Sequence, residues 1–465
     1  MSFVSIEFVF AALVFFPIYW SLRARKGWQV FLLIMSGYLL YASWSPVSAV
    51  ALFLFSAYIW LAGRWVNSAA SSGKRRVLLS SGILIGMLWL LVSKYYEFVR
   101  QAAVDVLLNL DLNILLPAID VVAPVGISFF TFQAITYLTW QNQIEPQRTP
   151  FSQPLLYLAF WPTHFAGPIF RAQDFFKQLK SDEFGAPKHA ELAIYYILLG
   201  MVQKIVFANW LGSTFVDEAF KYPDTLTTIS TTAAVLGYAL QIFLDFSGYT
   251  LIVAGLGMLL GFTLPINFRQ PYLAANLRDF WRRWHISLST FIRDYVYIPL
   301  GGNRLGFARA QFNILAAMLI SGLWHGASHT FLVWGAIHGL GMVGQNLYER
   351  LIGIKLPAIL SCTMTFSFVC LGWIFFRADS SEAALQLISG FGRYAGDFGD
   401  QHAYLLAFSA VFFLLSAKKY YFEQRMVNLI RLCYGWRLMA AATSMVFLVI
   451  LFGPSGVPEF IYYRF

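Results

Sequence analysis

Three histidines, at positions 325, 329 and 338, stand in the otherwise apolar stretch LAAMLISGLWHGASHTFLVWGAIHGLGMV. An ionisable side chain at membrane depth is costly and ordinarily marks a pathway, a partner or a reaction centre. His325, framed by Trp324 and Gly326 after an apolar run, is the strongest candidate for chemistry. A neutral imidazole, with an unperturbed pKa of about 6.5, is the natural general base for a hydroxyl or a thiol. No G-x-S-x-G or Cys–His signature competes with it for a nucleophile. His325 and His329 have the i, i+4 spacing of two metal ligands, yet no Glu follows His325 and no acid or thiol lies nearby, so no metal is expected. His329 and His338 read equally well as satisfied core residues. The small residues Gly322, Gly326, Ala327, Gly335, Ala336 and Gly339 let helices approach closely or leave room for a ligand.

Two further clusters precede these histidines. In QIFLDFSGYT, Gln241 and Asp245 share a helix face, and Gly248 between Ser247 and Tyr249 allows a helix break. Asp245 reads either as a direct participant or as the structural partner of a downstream arginine. In NFRQPYLAANLRDFWRRWHISLSTFIRDYVYIPLGGNR, Pro265 and Pro271 bracket a non-helical link and Asn276 is placed to cap the next helix. Arg278, Arg282, Arg283, His285, Arg293 and Asp294 follow among Phe280, Trp281, Trp284 and Phe291. Tryptophan beside arginine is the composition of an interfacial amphipathic helix. The same arginines with Arg304, beside Gly301 and Gly302, equally suit the phosphates of an anionic ligand or a pantetheine-linked nucleotide.

These residues are held by an apolar chain. Of 465 residues, 58% are hydrophobic, 18% aromatic and 12% charged, against about 25% charged in a soluble domain. That excludes a soluble multidomain enzyme, a disordered protein and a nucleic-acid reader. The net charge of +10 is the basic-loop excess of a membrane protein rather than a nucleic-acid footprint. The three cysteines, Cys362, Cys370 and Cys433, form neither a metal spacing nor a disulfide framework. The first apolar stretch, with Glu7 inside it and Arg23, Arg25 and Lys26 after it, is expected to be a retained span rather than a cleaved signal.

Apolar segments of roughly 20 residues suit a bilayer, and fall near 3–22, 28–45, 47–63, 77–96, 122–140, 153–170, 190–211, 229–244, 248–264, 310–325, 330–348, 357–376, 403–417 and 437–453. About 11–13 are expected to be crossings and the others re-entrant or interfacial. Basic residues after the first and third spans, and Glu97, Asp105, Asp111 and Asp120 after the fourth, place the N-terminus outside. The polar stretch 171–191, with Asp182, Glu183 and Lys188, reads as a solvated or interfacial helical loop.

The strings PVGISFFTFQAITYL (124–138), AGPIFR (166–171), LDFSGY (244–249), NFRQPY (267–272), DFWRRWHISLSTFIRDYVYIPLGGNR (279–304), GLWHGAS (322–328), WGAIHG (334–339) and FIYYRF (460–465) resemble the membrane-bound O-acyltransferase superfamily. The resemblance is greatest to its bacterial exopolysaccharide O-acetylase branch. It implies an all-α polytopic membrane protein forming a funnel, as a single domain over 1–465, with N-terminal helices at 1–120, a catalytic core at 121–350 and C-terminal helices at 351–465. It places the family's catalytic histidine on His325 and its second polar position on His285, facing the donor carbonyl. Arg282, Arg283, Asp245, Tyr249, Trp324 and His338 match motif positions as donor-binding candidates. One departure is Thr250-Leu251, where relatives often carry an acid after the Ser-Gly-Tyr motif. His164 is assigned no role.

The activity so implied is transfer of acetyl from cytoplasmic acetyl-CoA, with no bound cofactor, across a bacterial inner membrane to a secreted exopolysaccharide of the cellulose or alginate type. A periplasmic acetyltransferase is the expected partner, with membrane lipid around the chain and no nucleic acid. Two alternatives stand beside it. One is the D-alanyl transfer subunit for teichoic acid; the other is a secondary transporter or flippase with a His/Asp proton relay. Transporters often show internal repeats, whereas here the polar residues crowd into 240–340.

Overall fold

The computed structural model describes residues 3–432 other than 115, 119–123, 145–148, 165 and 183, with the isolated positions 443, 447 and 451. Asp120, Glu183, Cys433, most of the expected span 437–453 and the string 460–465 lie outside the described residues. The described elements are helical, with no strand among them, so the fold is all-α. Two compact units are formed, Met1–Ala193 with Leu256–Pro265, and Ile194–Gly255 with Ile266–Phe465.

The first unit holds α1 (Ile6–Ser21), α2 (Lys26–Ala42), α3 (Pro46–Ser68), α4 (Ser72–Asn109), α5 (Ile127–Gln143) and the short α6 (Ser152–Leu158), α7 (Trp161–His164) and α8 (Ala172–Leu179). In α3, Ser45 accepts from the Ser48 N–H at 3.1 Å and Pro46 sits in the first turn, an arrangement that satisfies one orphan donor and fixes φ for the helix. At the far end Arg75 donates to the carbonyls of Val66, Asn67 and Asn142 at 3.2, 3.0 and 3.1 Å, closing α3 and α5 together. Where water is scarce, such partners replace it for terminal carbonyls. α4 extends about 57 Å at 1.5 Å per residue, longer than the bilayer core, and its C-terminal half carries the Glu97–Arg100 pair.

The expected span 153–170 is not formed: α6 and α7 are 7 and 4 residues long. Pro162 lacks the N–H needed to prolong a helix out of α6. Gly167 lies so near Thr163 that a Cβ there would stand 2.5 Å from the Thr163 Cα. The polar stretch that follows forms α8, which buries Phe175 and Phe176 and exposes Asp174 and Lys177.

The second unit is built from α9 (Ala190–Lys221), α10 (Thr228–Leu259), α11 (Leu277–Arg283), α12 (Ile286–Ile292), α13 (Phe307–His325), α14 (His329–Leu351), α15 (Ala358–Arg377), α16 (Ser381–Ser389), α17 (Asp400–Ala417) and α18 (Lys419–Leu432). α9 contains π turns at Val202–Ala208 and Gly212–Val216. α10 runs unbroken through Gly248, where two spans were expected. The glycine serves contact instead: a Cβ at Gly248 would lie 2.7 Å from the Gly200 carbonyl, and one at Gly200 would lie 2.5 Å from that of Gly248. Small residues let the two backbones touch.

Six described helices, α3, α4, α9, α10, α15 and α17, are long and apolar enough to cross a bilayer, against the 11–13 expected. α1, α2 and α5 have 16 or 17 residues. The longer α13 and α14 carry Arg309, Gln311, Asn313, Gln345, Asn346 and Glu349, which lowers their apolar character. The chain is a multi-pass membrane protein.

Candidate active site

The site lies in the second unit and begins with two short helices. Asn276 caps α11, its Oδ1 accepting from the Asp279 N–H at 2.8 Å, as its position in the sequence suggests. Asp279 in turn holds Arg283 at 2.8 Å, one helical turn on. His285 separates α11 from α12 with φ 42° and ψ 54°, and no part of it is exposed. A non-glycine residue in the left-handed region is uncommon and persists where its surroundings hold it. The expected single interfacial helix is therefore broken at this histidine. A π turn at Arg293–Tyr297 follows α12, and such turns are frequent at functional sites.

α13 and α14 form a tight hairpin. A Cβ at Gly322 would come within 2.3 Å of the Phe331 carbonyl, and one at Gly335 within 2.6 Å of the Met318 carbonyl. These small residues serve close helix approach rather than ligand room. His325 ends α13 and His329 begins α14, so the two do not share one helix face as metal ligands. His329 is exposed, not a core residue. Among the described residues no three His, Cys, Asp or Glu side chains gather to hold a metal ion.

Tryptophan rings connect the buried histidines. Trp324 packs against His285 at 5.9 Å and His325 at 4.9 Å between centroids. Trp334 contacts His325 at 5.0 Å and His338 at 5.1 Å. Trp281 meets His338 at 5.1 Å. His325 is 4% exposed and also faces Phe376 at 5.0 Å. His338 is wholly buried against the backbone of Gly372, where a Cβ would stand 2.7 Å from Nε2. It sits behind Trp281 and, like His325 and His285, is not part of the cavity wall.

A cavity of about 970 Å³ opens beside Trp281, at the upper end of the range for ligand sites, about 300–1,000 Å³. Along α13 it is walled by Phe307, Gln311, Ile314, Met318 and Ser321. From Gln311 to Ser321 is about 15 Å of helix at 1.5 Å per residue, and His325 is one turn, about 6 Å, beyond. The end near Phe307 is basic. Arg278 donates to Asn346 Oδ1 at 2.6 Å and Glu349 Oε2 at 3.0 Å, and Asn346 reaches Gln311 at 2.8 Å. Arg350 lies over the Phe307 ring at 4.4 Å. Arg282 and Arg293 complete the lining; Arg293 pairs with Asp294 at 2.6 Å. Arg282 and Arg350 have no carboxylate partner among the described residues, leaving positive charge for an anion.

The candidates thus divide. Arg278, Arg282 and Arg293 line the cavity, whereas Arg283 is tied to Asp279 and Arg304 is not in the wall. Asp245 is buried, but its partner is Lys204 on the first π turn of α9, not a downstream arginine. Neither Asp245 nor the buried Tyr249 lines the cavity. Trp324 packs between histidines rather than against the open volume. Sequence reasoning missed Lys204, a cation inside the apolar run MVQKIVFANW, which is itself a signal at membrane depth. It also missed Arg350, Asn346 and Gln311, which are ordinary polar helix-end residues until the fold brings them to one rim.

The membrane-bound O-acyltransferase family model matches residues 30–380. The chain is 32% identical to a peptidoglycan O-acetyltransferase of Helicobacter pylori, over 77% of this chain and 72% of that one. It is 32% identical to the probable alginate O-acetylase AlgI of Pseudomonas aeruginosa, over 83% and 74%. A teichoic acid D-alanyltransferase of Bacillus subtilis is 27% identical, over 56% and 70%. With a family model spanning residues 30–380 and acetyltransferase relatives 32% identical over most of both chains, the protein is a member of the membrane-bound O-acyltransferase family.

Proposed function

We propose that the protein transfers an acetyl group from acetyl-CoA to a hydroxyl destined for a polysaccharide outside the cytoplasmic membrane. The acceptor glycan is an exopolysaccharide of the cellulose or alginate type, reached through a periplasmic acetyltransferase. The observation that carries the donor assignment is the polarity of the cavity, with Arg278 and Arg350 at a rim more than 20 Å of helix from His325. A CoA thioester has that polarity: phosphates at one end, a long arm, and the reacting carbonyl at the other. Arginine forks suit the phosphates, and the apolar wall of Ile314 and Met318 suits the arm.

His325 removes the acceptor's hydroxyl proton as the oxygen attacks the thioester carbonyl. The tetrahedral oxyanion forms facing His285, whose N–H donates to it. On collapse the C–S bond breaks, the acetyl group stays on the acceptor oxygen, and the imidazolium of His325 returns its proton to the CoA sulfur. Relatives named for O-acetylation of alginate and peptidoglycan support acetyl as the acyl group, and their coverage exceeds that of the D-alanyl transfer relative.

The test is CoA-thiol release from acetyl-CoA by inverted membrane vesicles holding the full chain and its periplasmic acceptor fraction. Saturable turnover that disappears in His325→Ala is expected. Glycan or lipid movement without thioester consumption would overturn the assignment in favour of a transporter.

A further inference from the structure

His285 occupies the N-cap position of α12: its carbonyl accepts the Ser289 N–H at 2.9 Å, closing the first turn. An N-cap side chain ordinarily folds back to accept the N–H of the second or third helical residue. The imidazole of His285 makes no such bond. Asn267, far back in the chain and 2% exposed, does that work instead. Its carbonyl accepts the Ile286 N–H at 3.0 Å and its Oδ1 accepts the Ser287 N–H at 3.1 Å. A third bond, Arg269 N–H to the Arg283 carbonyl at 3.0 Å, ties the same two segments on the other side of His285. The histidine is thus gripped from both flanks in its left-handed conformation. Its ring is set edge-on to Phe246 at 4.7 Å and beside Trp324, the residue before His325.

We infer that Asn267 is a positioning residue for the acyl transfer: by capping α12 in place of His285, it holds that imidazole at the reacting carbonyl. The inference rests on the role given to His285 above. A capping histidine would have its ring turned down onto the α12 backbone. Asn267 separates the two tasks, so one residue ends the helix while the other faces the chemistry. Loss of the Oδ1 acceptor removes its bond to the Ser287 N–H and lets His285 relax toward an ordinary cap. Displacement of a reacting group by about 1 Å costs on the order of 100-fold in rate.

The experiment compares Asn267→Ala, Asn267→Asp, His285→Ala and the Asn267→Ala/His285→Ala double variant, using CoA-thiol release from acetyl-CoA by vesicles at matched protein amount. Asn267→Ala is expected to lower kcat about 10- to 100-fold with the acetyl-CoA KM within twofold. Asn267→Asp, which keeps the acceptor oxygen, recovers most of the rate. In the His285→Ala background Asn267→Ala changes kcat by less than twofold. Should Asn267→Ala not accumulate, Asn267→Ser, with its acceptor drawn back along the side chain, carries the same comparison. Equal rate losses in both backgrounds, the mark of a merely structural residue, overturn the proposal. So does full activity of Asn267→Ala in a protein that His285→Ala disables. Full activity of His285→Ala overturns the reading of His285 itself, and this proposal with it.

Discussion

The buried Lys204–Asp245 pair gives a prediction that separates architecture from chemistry. Lys204 stands on a π turn of α9 and Asp245 on α10, with side chains 4% and 9% exposed. The two helices touch one turn away, where Gly200 meets Gly248. With so little solvent to screen the survivor, Lys204→Met takes from the buried Asp245 carboxylate its ion-pair cation, and Asp245→Leu takes from the Lys204 ammonium its anion. Removing one partner of a buried pair costs about 3–5 kcal/mol, whereas replacing both with apolar residues of similar volume is often neutral or stabilising. For a chain of this size that loss corresponds to a fall in melting temperature of about 3–5 °C. The assay is thermal aggregation of detergent-solubilised protein followed by size-exclusion fluorescence. Each single variant is expected to melt early and the Lys204→Met/Asp245→Leu double variant to return to within about 1 °C of wild type or above it. The recovered protein should retain transfer activity, because the pair joins α9 to α10 and takes no part in the proposed transfer. Single variants that melt like wild type, or a stable double variant without activity, would refute this reasoning.

Three other outcomes follow from the geometry. Arg350→Ala or Arg282→Ala removes a cation without a carboxylate partner among the described residues. Either is expected to raise the acetyl-CoA KM about tenfold, the scale of one charge-assisted hydrogen bond, with kcat little changed and a weaker response to added salt. Gly335→Leu forces a side chain into the Met318 carbonyl, and should abolish accumulation of folded protein in membranes, read by immunoblot after detergent extraction. Arg393→Ala removes bonds at 2.8 Å to the carbonyls of Pro223 and Asp224 and at 3.2 Å to that of Leu226. Loss of several such anchors is expected to cost about 2–4 kcal/mol, seen as a lower melting temperature with an unchanged acetyl-CoA KM.

Periodicity and composition made the helices legible. The apolar runs 357–376 and 403–417 match α15 and α17 to within a few residues, whereas 47–63 and 190–211 find the starts of α3 and α9 but stop short of their ends at Ser68 and Lys221. Breaks were harder to read, because glycine and proline each act in more than one way. Gly248 permits a break but serves helix contact, whereas Pro162 and Gly167 end what looked like a span. Asn276 followed a local rule and behaved as expected. Asn267 did not declare itself, since the helix it caps begins 19 residues later. His325 and His285 stood out as polar residues in apolar surroundings, and the fold places both against Trp324. The cavity's basic rim was only partly visible: Arg278 and Arg282 lie within a recognisable string, but Arg350, Asn346 and Gln311 come from two helix ends that only tertiary contact unites. Likewise Arg283 and Asp245 look ligand-directed in sequence until Asp279 and Lys204 are seen to hold them.

The central claim, acetyl transfer through His325, is tested most directly by the acetyl-ester content of extracellular polysaccharide in a deletion strain. The strain is complemented with wild type or His325→Ala at equal membrane abundance. The account predicts ester restored by wild type and absent with His325→Ala, while polymer yield is the same in both. Wild-type ester levels with His325→Ala would contradict it.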